Sequence, residues 1–233
     1  MDLSHRHDLA EMMDGPDISQ EDYAASLRDL AAVNRVTRTH APVLAWLQRA
    51  TQQWPVGTVV SVLDVASGHG DLLRAVHRWA TRRGLVPVLA GIDLNPRSAV
   101  EAAAATPDCV DIVWQTGDVF DHAPEPRPDF IVSSQFAHHL TDAQAAAFVM
   151  WLEDNAERGW LIADIHRHFV PYYGFRVLCW VMRWHRIVRI DGTISVARSF
   201  TPAEWRALLH EVGLVASVQW HALFRLTIGR LKP

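Results

Sequence analysis

The chain has 233 residues, of which 49% are hydrophobic and 21% are charged, and it carries a net charge of −4. This length and hydrophobic content are sufficient for one globular unit with a substantial core. The weak negative charge, together with the lack of a lysine-rich tail, zinc-finger spacing or RNA-binding motif, argues against a nucleic-acid partner.

Two helices are predicted ahead of the first strand. Ser19, followed by Asp22 three residues later, is typical of a helix start, and apolar residues then recur at helical spacing toward Arg38. A second helix follows Pro42 and ends before the Trp54-Pro55 break. We expect these helices to cover the sheet.

A strand that runs into a glycine loop is predicted next. Val59–Val65 is rich in β-branched apolar residues, which is typical of a strand buried on both faces, and it contains Asp64. Gly68 and Gly70 end the strand, permit positive φ and let the backbone approach a ligand. Helical spacing resumes over Asp71–Arg83, so the N-terminus of a helix should face that ligand.

Polar residues follow the later predicted strands. The strands are Val86–Asp93, Val110–Thr116 and Asp129–Ser134, and Asp118 and Gln135 come just after the last two. The Gly-x-Gly turn alone is equally compatible with a tight strand-to-helix connection. Because open α/β sheets bind ligands at the carboxyl ends of their strands, we expect one crevice. Its predicted members are Asp64, Gly68, Gly70, Asp93, Asp118 and Gln135.

A long segment at about residues 165–198 follows the fifth predicted strand, Gly159–Asp164, and is longer than most connections in such folds. It mixes aromatic residues with arginines. Three interpretations stay open: core packing, a pocket for an apolar small molecule, and a basic amphipathic surface for a membrane or a partner. The second of these predicts that Arg167, Tyr172, Tyr173 and Trp180 contact the substrate.

The C-terminal part predicts one helix and two strands. Thr201 is placed as a helix cap, Pro202 as the first helical residue, and Gly213 as the end of the helix. Leu214–Trp220 and Leu223–Ile228 are predicted strands joined by a tight turn.

The acid before the glycine loop, the acid that ends strand two and the acid after strand three resemble the class I S-adenosylmethionine-dependent methyltransferases. The resemblance covers roughly residues 58 to 230. Nicotinamide-binding Rossmann proteins, the nearest alternative, usually have a third glycine where this chain has Leu73. The resemblance implies an α/β fold with a Rossmann-like, seven-stranded mixed sheet in the order 3-2-1-4-5-7-6, whose last strand is antiparallel.

The same resemblance divides the chain into an N-terminal helical lid, 1–57, and a methyltransferase domain, 58–233, with a substrate cap inserted at about 165–198. Asn34, Arg35 and Arg38 are candidates for the polar face of the lid.

By this resemblance the cofactor is S-adenosyl-L-methionine and the product is S-adenosyl-L-homocysteine. Asp64 and the backbone at Gly68 and Gly70 would face the methionine part, and Asp93 would hold the ribose. Further along, Asp118 would bind the adenine amino group with Val119 beside it, and Gln135 would lie near the methyl group. Ala66 and Leu94 complete the predicted cofactor-binding residues.

Two histidines are predicted as candidate bases. Methyl transfer needs mainly a well-positioned nucleophile, but a histidine can take the proton of a phenol or enol near neutral pH. His139 follows strand four and His166 follows strand five. A metal site from His138, His139, His166 and His168 with Asp164 is disfavoured, because adjacent histidines point apart and no i, i+4 pair lies on a helix. We therefore predict no metal.

We interpret the chain as a cytoplasmic methyltransferase that O-methylates a small phenolic, enolic or quinone-derived secondary metabolite. The Asp164–His168 stretch and the basic aromatic segment after it resemble bacterial methyltransferases of polyketide and quinone pathways. C-methylation of a similar acceptor and a non-catalytic cofactor-binding sensor or scaffold are the alternatives.

The chain ends and the cysteines support that localisation. The start lacks the apolar core of a signal peptide and no apolar run reaches the length of a membrane span. Cys109 and Cys179 stand in apolar stretches, so we expect buried thiols of a reducing compartment. The partner is then a small-molecule acceptor, without nucleic acid and without an integral membrane segment, although peripheral membrane contact stays open. The chain is expected to be a monomer or a homodimer.

Overall fold

A seven-stranded mixed sheet in the order β3-β2-β1-β4-β5-β7-β6 forms the centre of the computed structural model, which describes residues 1–15 and 17–232. Strands β1 to β5 are parallel to one another, and β7 is antiparallel to both β5 and β6. The predicted strand order and antiparallel last strand are therefore confirmed. The strands are β1 (Val59–Val65), β2 (Val86–Asp93), β3 (Val113–Thr116), β4 (Phe130–Ser134), β5 (Gly159–Ile165), β6 (Ser217–His221) and β7 (Arg225–Leu231).

Eight α-helices surround the sheet in the described part of the chain. They are α1 (Gln20–Val36), α2 (Ala41–Ala50), α3 (Asp71–Arg82), α4 (Pro96–Ala104), α5 (Asp142–Asn155), α6 (Phe169–Met182), α7 (Arg186–Arg198) and α8 (Pro202–Glu211). Ser19 accepts a hydrogen bond from the Asp22 amide at the start of α1, and Thr201 forms a reciprocal capping box with Glu204 at the start of α8. These caps satisfy amides that the first helical turn leaves free.

The core lies on both faces of the sheet, which explains why β1 and β4 are mostly apolar. On one face Leu47 of α2 and Leu73 of α3 pack with Phe130. On the other face Phe148 of α5 and Trp205 of α8 belong to a second cluster. Because both faces are covered, the carboxyl edge of the parallel strands is the natural place for a site.

The predicted cap is a pair of helices, α6 and α7, that packs against α1. Val33 of α1 shares a buried cluster with Cys179 of α6 and with Trp184 and Val188. The N-terminal helix and the cap therefore form one layer beside the carboxyl edge of the sheet. The role of residues 1–57 as a lid stays a prediction.

Several local expectations differ from the structure. β3 begins at Val113 because residues before it form a turn in which the Val110 amide donates to the Pro107 carbonyl. The last two strands are shifted toward the C-terminus because β7 pairs with the whole of β5. Cys109 was expected to be buried, but it lies in that same turn and is exposed; Cys179 is buried. Among residues 1–15 and 17–232, no helix is long and apolar enough to cross a membrane.

Candidate functional site

A cavity of about 1010 Å³ lies at the carboxyl ends of the parallel strands. Loops after β1, β2, β3 and β4 form its floor, and α1, α6 and the residues just before α1 contribute to its walls. The structure therefore has a cavity where the sequence predicts a crevice. Eight of the nine predicted cofactor residues line it: Asp64, Ala66, Gly68, Asp93, Leu94, Asp118, Val119 and Gln135.

Gly70, the ninth, supports the loop from outside the lining. It has φ +72 and precedes the first residue of α3. A Cβ at this position would lie 2.2 Å from Cη2 of Trp114, which rises from β3. Both the backbone conformation and the close approach of the indole therefore require glycine here.

Positive φ angles also occur at the non-glycine residues of the cavity that follow the two central strands. Ala66 follows β1 with φ +58, and Gln135 follows β4 with φ +62. Such conformations cost energy for residues with a Cβ and are often found where a ligand is held. In this fold they turn the chain sharply at the ends of the two central strands.

The Asp93 carboxylate ties the glycine loop to the end of β2. One oxygen accepts the Gly68 amide at 2.8 Å and the other accepts the Asn95 amide at 2.9 Å. Burial raises the pKa of Asp93, although these two amides act in the opposite direction. Each carboxylate oxygen retains a lone pair that can accept a further hydrogen bond, so Asp93 can hold both the loop and a ligand hydroxyl.

Asp64 contributes a buried carboxyl group to the cavity. The residue is only 2% exposed, and its Oδ1 has no hydrogen-bond partner among the described residues. Burial raises the pKa of Asp64 well above its usual value, and the charges of Asp71 and Asp93 add to this effect. A buried carboxyl group without a partner is costly, so this position favours a cationic or hydrogen-bond-donating ligand group.

Asp71, the first residue of α3, connects the glycine loop to the N-terminal helices. Its Oδ2 accepts hydrogen bonds from Nδ2 of Asn34 at 3.1 Å and from Nε2 of His40 at 2.7 Å. Burial acts to raise the pKa of Asp71, but His40 and Asn34 outweigh it and lower the value to about 2. Of the three predicted lid residues, Asn34 lines the cavity, whereas Arg35 and Arg38 are exposed outside it.

Alternating carboxylates and imidazoles form a chain on another wall of the cavity. Nδ1 of His138 lies 2.8 Å from Oδ1 of Asp164, and its Nε2 lies 3.6 Å from Oε1 of Glu11. Nε2 of His139 lies 3.9 Å from Oε2 of Glu11, and its Nδ1 lies 3.2 Å from Oδ2 of Asp14. We refer to Asp14, His139, Glu11, His138 and Asp164 as the imidazole–carboxylate chain. Glu11, Asp14, His138 and His139 line the cavity.

The acidity of the carboxyl groups changes along this chain. Burial raises the pKa of Glu11 to about 7, although His139 and the Ser195 hydroxyl act in the opposite direction. Burial also acts to raise the pKa of Asp164, but the charge and hydrogen bonds of His138 keep it below its usual value. Glu11 is therefore the carboxyl group of this wall that can exchange a proton near neutral pH.

The N-terminal segment is positioned by α7. The amides of Met12 and Met13 each donate to the Asp191 carboxylate at 2.9 Å, and the Ser195 hydroxyl donates to Glu11 at 2.8 Å. Glu11 and Asp14 were not predicted from the sequence, because no local pattern marks these residues and their partners are far along the chain. His138 was considered from the sequence only as a metal ligand.

The structure separates the two predicted bases. His139 lines the cavity. His166 lies outside the lining, where its ring is 5.7 Å from that of His168 and 6.2 Å from that of Phe224. Because β5 extends to Ile165, His166 leaves the sheet edge on the side of β7, whose Arg225 pairs with Ile165.

The four predicted substrate residues lie outside the cavity lining as well. Arg167 is buried and pairs with Glu204 at 2.5 Å and with the Ser199 carbonyl at 2.6 Å, which is a structural role. Tyr172 packs in a buried cluster with Val196, while Tyr173 and Trp180 face outward. Helical geometry explains this outcome, since α6 turns other residues toward the cavity: Val170, Pro171, Gly174, Phe175 and Leu178.

The histidine set considered for a metal is not assembled, because His166 and His168 pack near Phe224. Glu11, His138 and His139 instead have ligand-type atoms within 4.8 Å of one another. Such a trio can hold a divalent cation, and it can equally share protons between carboxylate and imidazoles. The carboxylates beside both Nδ1 atoms leave both Nε2 atoms turned toward Glu11.

No family model matches this chain. Part of it is similar to trans-aconitate 2-methyltransferase of Mycobacterium tuberculosis (strain ATCC 25177 / H37Ra), with 28% identity over 108 residues. That match covers 46% of this chain and 38% of the relative. The match therefore spans well under half of the length of this curated relative.

Solved structures are similar over most of the chain. Magnesium protoporphyrin IX methyltransferase from Synechocystis PCC 6803, with bound SAH, has a TM-score of 0.56 at 16% identity, covering 84% of this chain and 83% of that one. The plantazolicin methyltransferase BpumL, also with SAH, has a TM-score of 0.63 at 13% identity and coverages of 91% and 95%. Human N-acetylserotonin methyltransferase with SAM has a TM-score of 0.61 at 16% identity and coverages of 92% and 56%. The chain therefore has the fold of S-adenosylmethionine-dependent methyltransferases.

Proposed function

We propose that this chain, which has the methyltransferase fold, is an S-adenosylmethionine-dependent methyltransferase whose acceptor is a small, mostly apolar molecule. In its most specific form the proposal is O-methylation of a phenolic, enolic or quinone-derived secondary metabolite. The observation that carries it is the cavity at the carboxyl edge of the sheet, where Asp93 fixes the glycine loop and Oδ1 of the buried Asp64 has no hydrogen-bond partner in the described part of the chain. Bound SAM or SAH in similar structures supports the same cofactor.

The residues of the cavity fit this cofactor. A buried carboxyl oxygen that no described residue satisfies suits an ammonium group, so Asp64 and the Gly68–Gly70 loop would hold the methionine part. Asp93 retains acceptor capacity for the ribose hydroxyls. Asp118 uses one oxygen to accept the Phe120 amide at 3.0 Å, which leaves the other for the adenine amino group beside the buried Val119. When bound, the cofactor supplies an electrophilic methyl group.

The acceptor end of the cavity combines apolar walls with the imidazole–carboxylate chain. Leu30 and Phe175 are among the apolar residues that line the cavity, and Glu11 and His139 provide acceptors for a proton. Apolar walls with a few polar groups are typical of small-molecule sites. The acceptor hydroxyl would pass its proton to the Glu11–His139 pair as its oxygen takes the methyl group, and the product proton would then leave to solvent.

Calorimetric titration with SAM and SAH tests the cofactor part of the proposal. Asp93→Ala removes two hydrogen bonds to a charged group, each contributing roughly 1.5–3 kcal/mol, and should weaken binding by more than tenfold. Asp154→Ala, an exposed acid on α5 outside the cavity, is the matched control and should bind as the unmodified chain does. Absence of any SAM binding would overturn the proposal.

Transfer of a labelled methyl group to a panel of phenols, enols and hydroquinones tests the acceptor part. We expect a labelled ether product from at least one class. Binding without transfer across the panel would favour the sensor or scaffold, and label attached to carbon would favour C-methylation.

A further inference from the structure

The outer side of α6 exposes an unusual amount of apolar surface. Val177 is 62% exposed and Trp180 is 72% exposed, although each belongs to a helix that lines the cavity with other residues. The exposed residues recur at spacings of three and four, so they form one stripe along the helix. We call this stripe the α6 outer face; it comprises Phe169, Tyr173, Val177, Trp180 and Val181.

This face continues into the region beside the cavity. The Phe169 ring is 4.4 Å from that of His168, which in turn stacks on Phe224 at 4.9 Å. Phe224 and the exposed Leu223 line the cavity, as do Val170 and Gly174 of α6. The exposed apolar surface and the cavity lining are therefore continuous.

The charges around the α6 outer face are positive. Arg176, Arg183, Arg186 and Arg189 are exposed, and residues 165–190 contain no acid. Asp191, the first acid after them, is buried and accepts the amides of Met12 and Met13. From α1, which packs on this layer, Asp29 accepts the His185 amide and Asp22 faces the His185 ring at 3.4 Å.

We propose that the α6 outer face docks onto an anionic lipid bilayer. An exposed apolar stripe with tryptophan and tyrosine, flanked by arginines, is what an interfacial helix needs to insert at the headgroup boundary while its cations meet anionic lipids. At 14 residues, α6 is too short to span a bilayer and lies in its plane. The charge complementarity favours this occupant over a second copy of the chain, because two such faces would bring their arginines together.

In this docked orientation, the surface that lies next to the cavity faces the lipid. An apolar acceptor could then pass from the bilayer into the cavity without crossing water; this consequence, unlike the docking, rests on the proposed methyltransferase function. The docking test uses no cofactor and no acceptor, so its failure and that of the proposed function are distinguishable.

Co-sedimentation of the full chain with vesicles measures the docking. Vesicles of phosphatidylcholine with phosphatidylglycerol should bind the chain, pure phosphatidylcholine should bind it much less, and added salt should weaken the binding. Val177→Ser with Trp180→Ser should lower the partition coefficient at least tenfold, since it removes two inserting side chains. Val215→Ser, whose valine is 84% exposed far from α6 in sequence, should leave it unchanged.

A charge variant separates attraction by arginine from apolar insertion. Arg176→Glu should lower binding at least about fivefold, because each basic residue near an anionic surface contributes about that factor. Arg206→Glu makes the same charge change on an exposed residue of α8 and should have little effect. The proposal would be overturned if Arg176→Glu and Arg206→Glu lost equal amounts of vesicle binding. It would also be overturned if the Val177 and Trp180 variant bound vesicles as well as Val215→Ser, or if the unmodified chain did not bind vesicles at all.

Analytical ultracentrifugation without vesicles completes the test. An unmodified chain that stays monomeric supports lipid as the occupant. A dimer that dissociates on the Val177 and Trp180 substitutions would instead assign the face to a second copy and overturn the proposal. Circular dichroism of each variant must match the unmodified chain for the comparison to count.

Discussion

Replacing Gly70 by alanine tests whether the glycine loop is fixed by the close approach of Trp114. Two features of Gly70 oppose a side chain, the φ of +72 and the position of the indole, 2.2 Å from where a Cβ would lie. Gly213 offers a matched control, because its φ is +68 and no atom lies within 4 Å of the corresponding Cβ. The pair separates the cost of the backbone conformation from the cost of the steric contact.

The two effects have different sizes. A left-handed conformation costs an L-residue roughly 1–2 kcal/mol, so Gly213→Ala should lower the free energy of unfolding by about that amount. Gly70→Ala has the same backbone cost and must also displace Trp114, and overpacking typically adds about 1–3 kcal/mol. The Trp114 indole is also packed closely against Gly91, where a Cβ would lie less than 3.0 Å from it, so the indole has little room to move away. We expect a total loss of about 2–5 kcal/mol for Gly70→Ala.

Urea denaturation followed by circular dichroism measures both variants, and calorimetry with SAM follows the loop. Gly70→Ala should also weaken SAM binding, because moving the loop shifts the amides that the cofactor would meet, whereas Gly213→Ala should not. In a double-mutant cycle, Trp114→Ala should recover part of the stability that Gly70→Ala loses through its contact with the indole. If the two glycine variants lose equal stability and bind SAM equally, the indole does not fix the loop and the reasoning is refuted.

Three further predictions concern the charges of the site and the cap. Because burial raises the pKa of Glu11 from 4.5 to about 7, its contribution to stability is fully present below pH 4.5 and lost as pH rises through 7. Glu11→Gln should therefore be more stable than the unmodified chain at pH 8, by up to about 3 kcal/mol, and similar to it at pH 5 in urea titrations; a constant difference would contradict this. For His40→Ala, the pH dependence of the stability change has the opposite sign. Asp71 has a pKa lowered to about 2, so the variant should lose about 1–2 kcal/mol at pH 7, a loss that shrinks as pH falls toward 2, and a pH-independent loss would argue against the pair. Arg167→Met should lose about 1–3 kcal/mol of stability, because it removes the donor of the Ser199 carbonyl and leaves the partly exposed Glu204 with only its Thr201 partner. SAM affinity in calorimetry should not change, and the exposed Arg206→Ala should change neither quantity. Weaker SAM binding with intact stability would instead support a role for Arg167 in the site.

The floor of the cavity could be predicted from the sequence because its residues occur in local patterns. Asp64 and Gly68 lie within or directly after β1, and Asp93 ends β2, so the strand pattern alone puts them at one edge. Parallel strands align their carboxyl ends whatever the rest of the chain does. The strand order followed from the resemblance rather than from spacing.

The residues of the cap could not be placed in the same way. All residues of α6 except Pro171, Gly174 and Arg176 are aromatic or apolar, so the sequence does not indicate which side faces the cavity. Packing of Cys179 and Trp184 against Val33 sets the rotation of the helix, and this rotation turns Phe175 inward and Trp180 outward. Arg167 was predicted from its neighbourhood in sequence, but its partner Glu204 lies on α8.

The sequence by itself determined the parallel sheet, the glycine loop and the acids after its strands, since each depends on contacts between residues close along the chain or on the alignment of neighbouring strands. Only the tertiary structure decided which residues form the other walls of the cavity. Glu11 reaches His138 and His139 because Asp191 and Ser195 of α7 hold the N-terminal segment, and no local pattern encodes a contact between residues so distant in sequence.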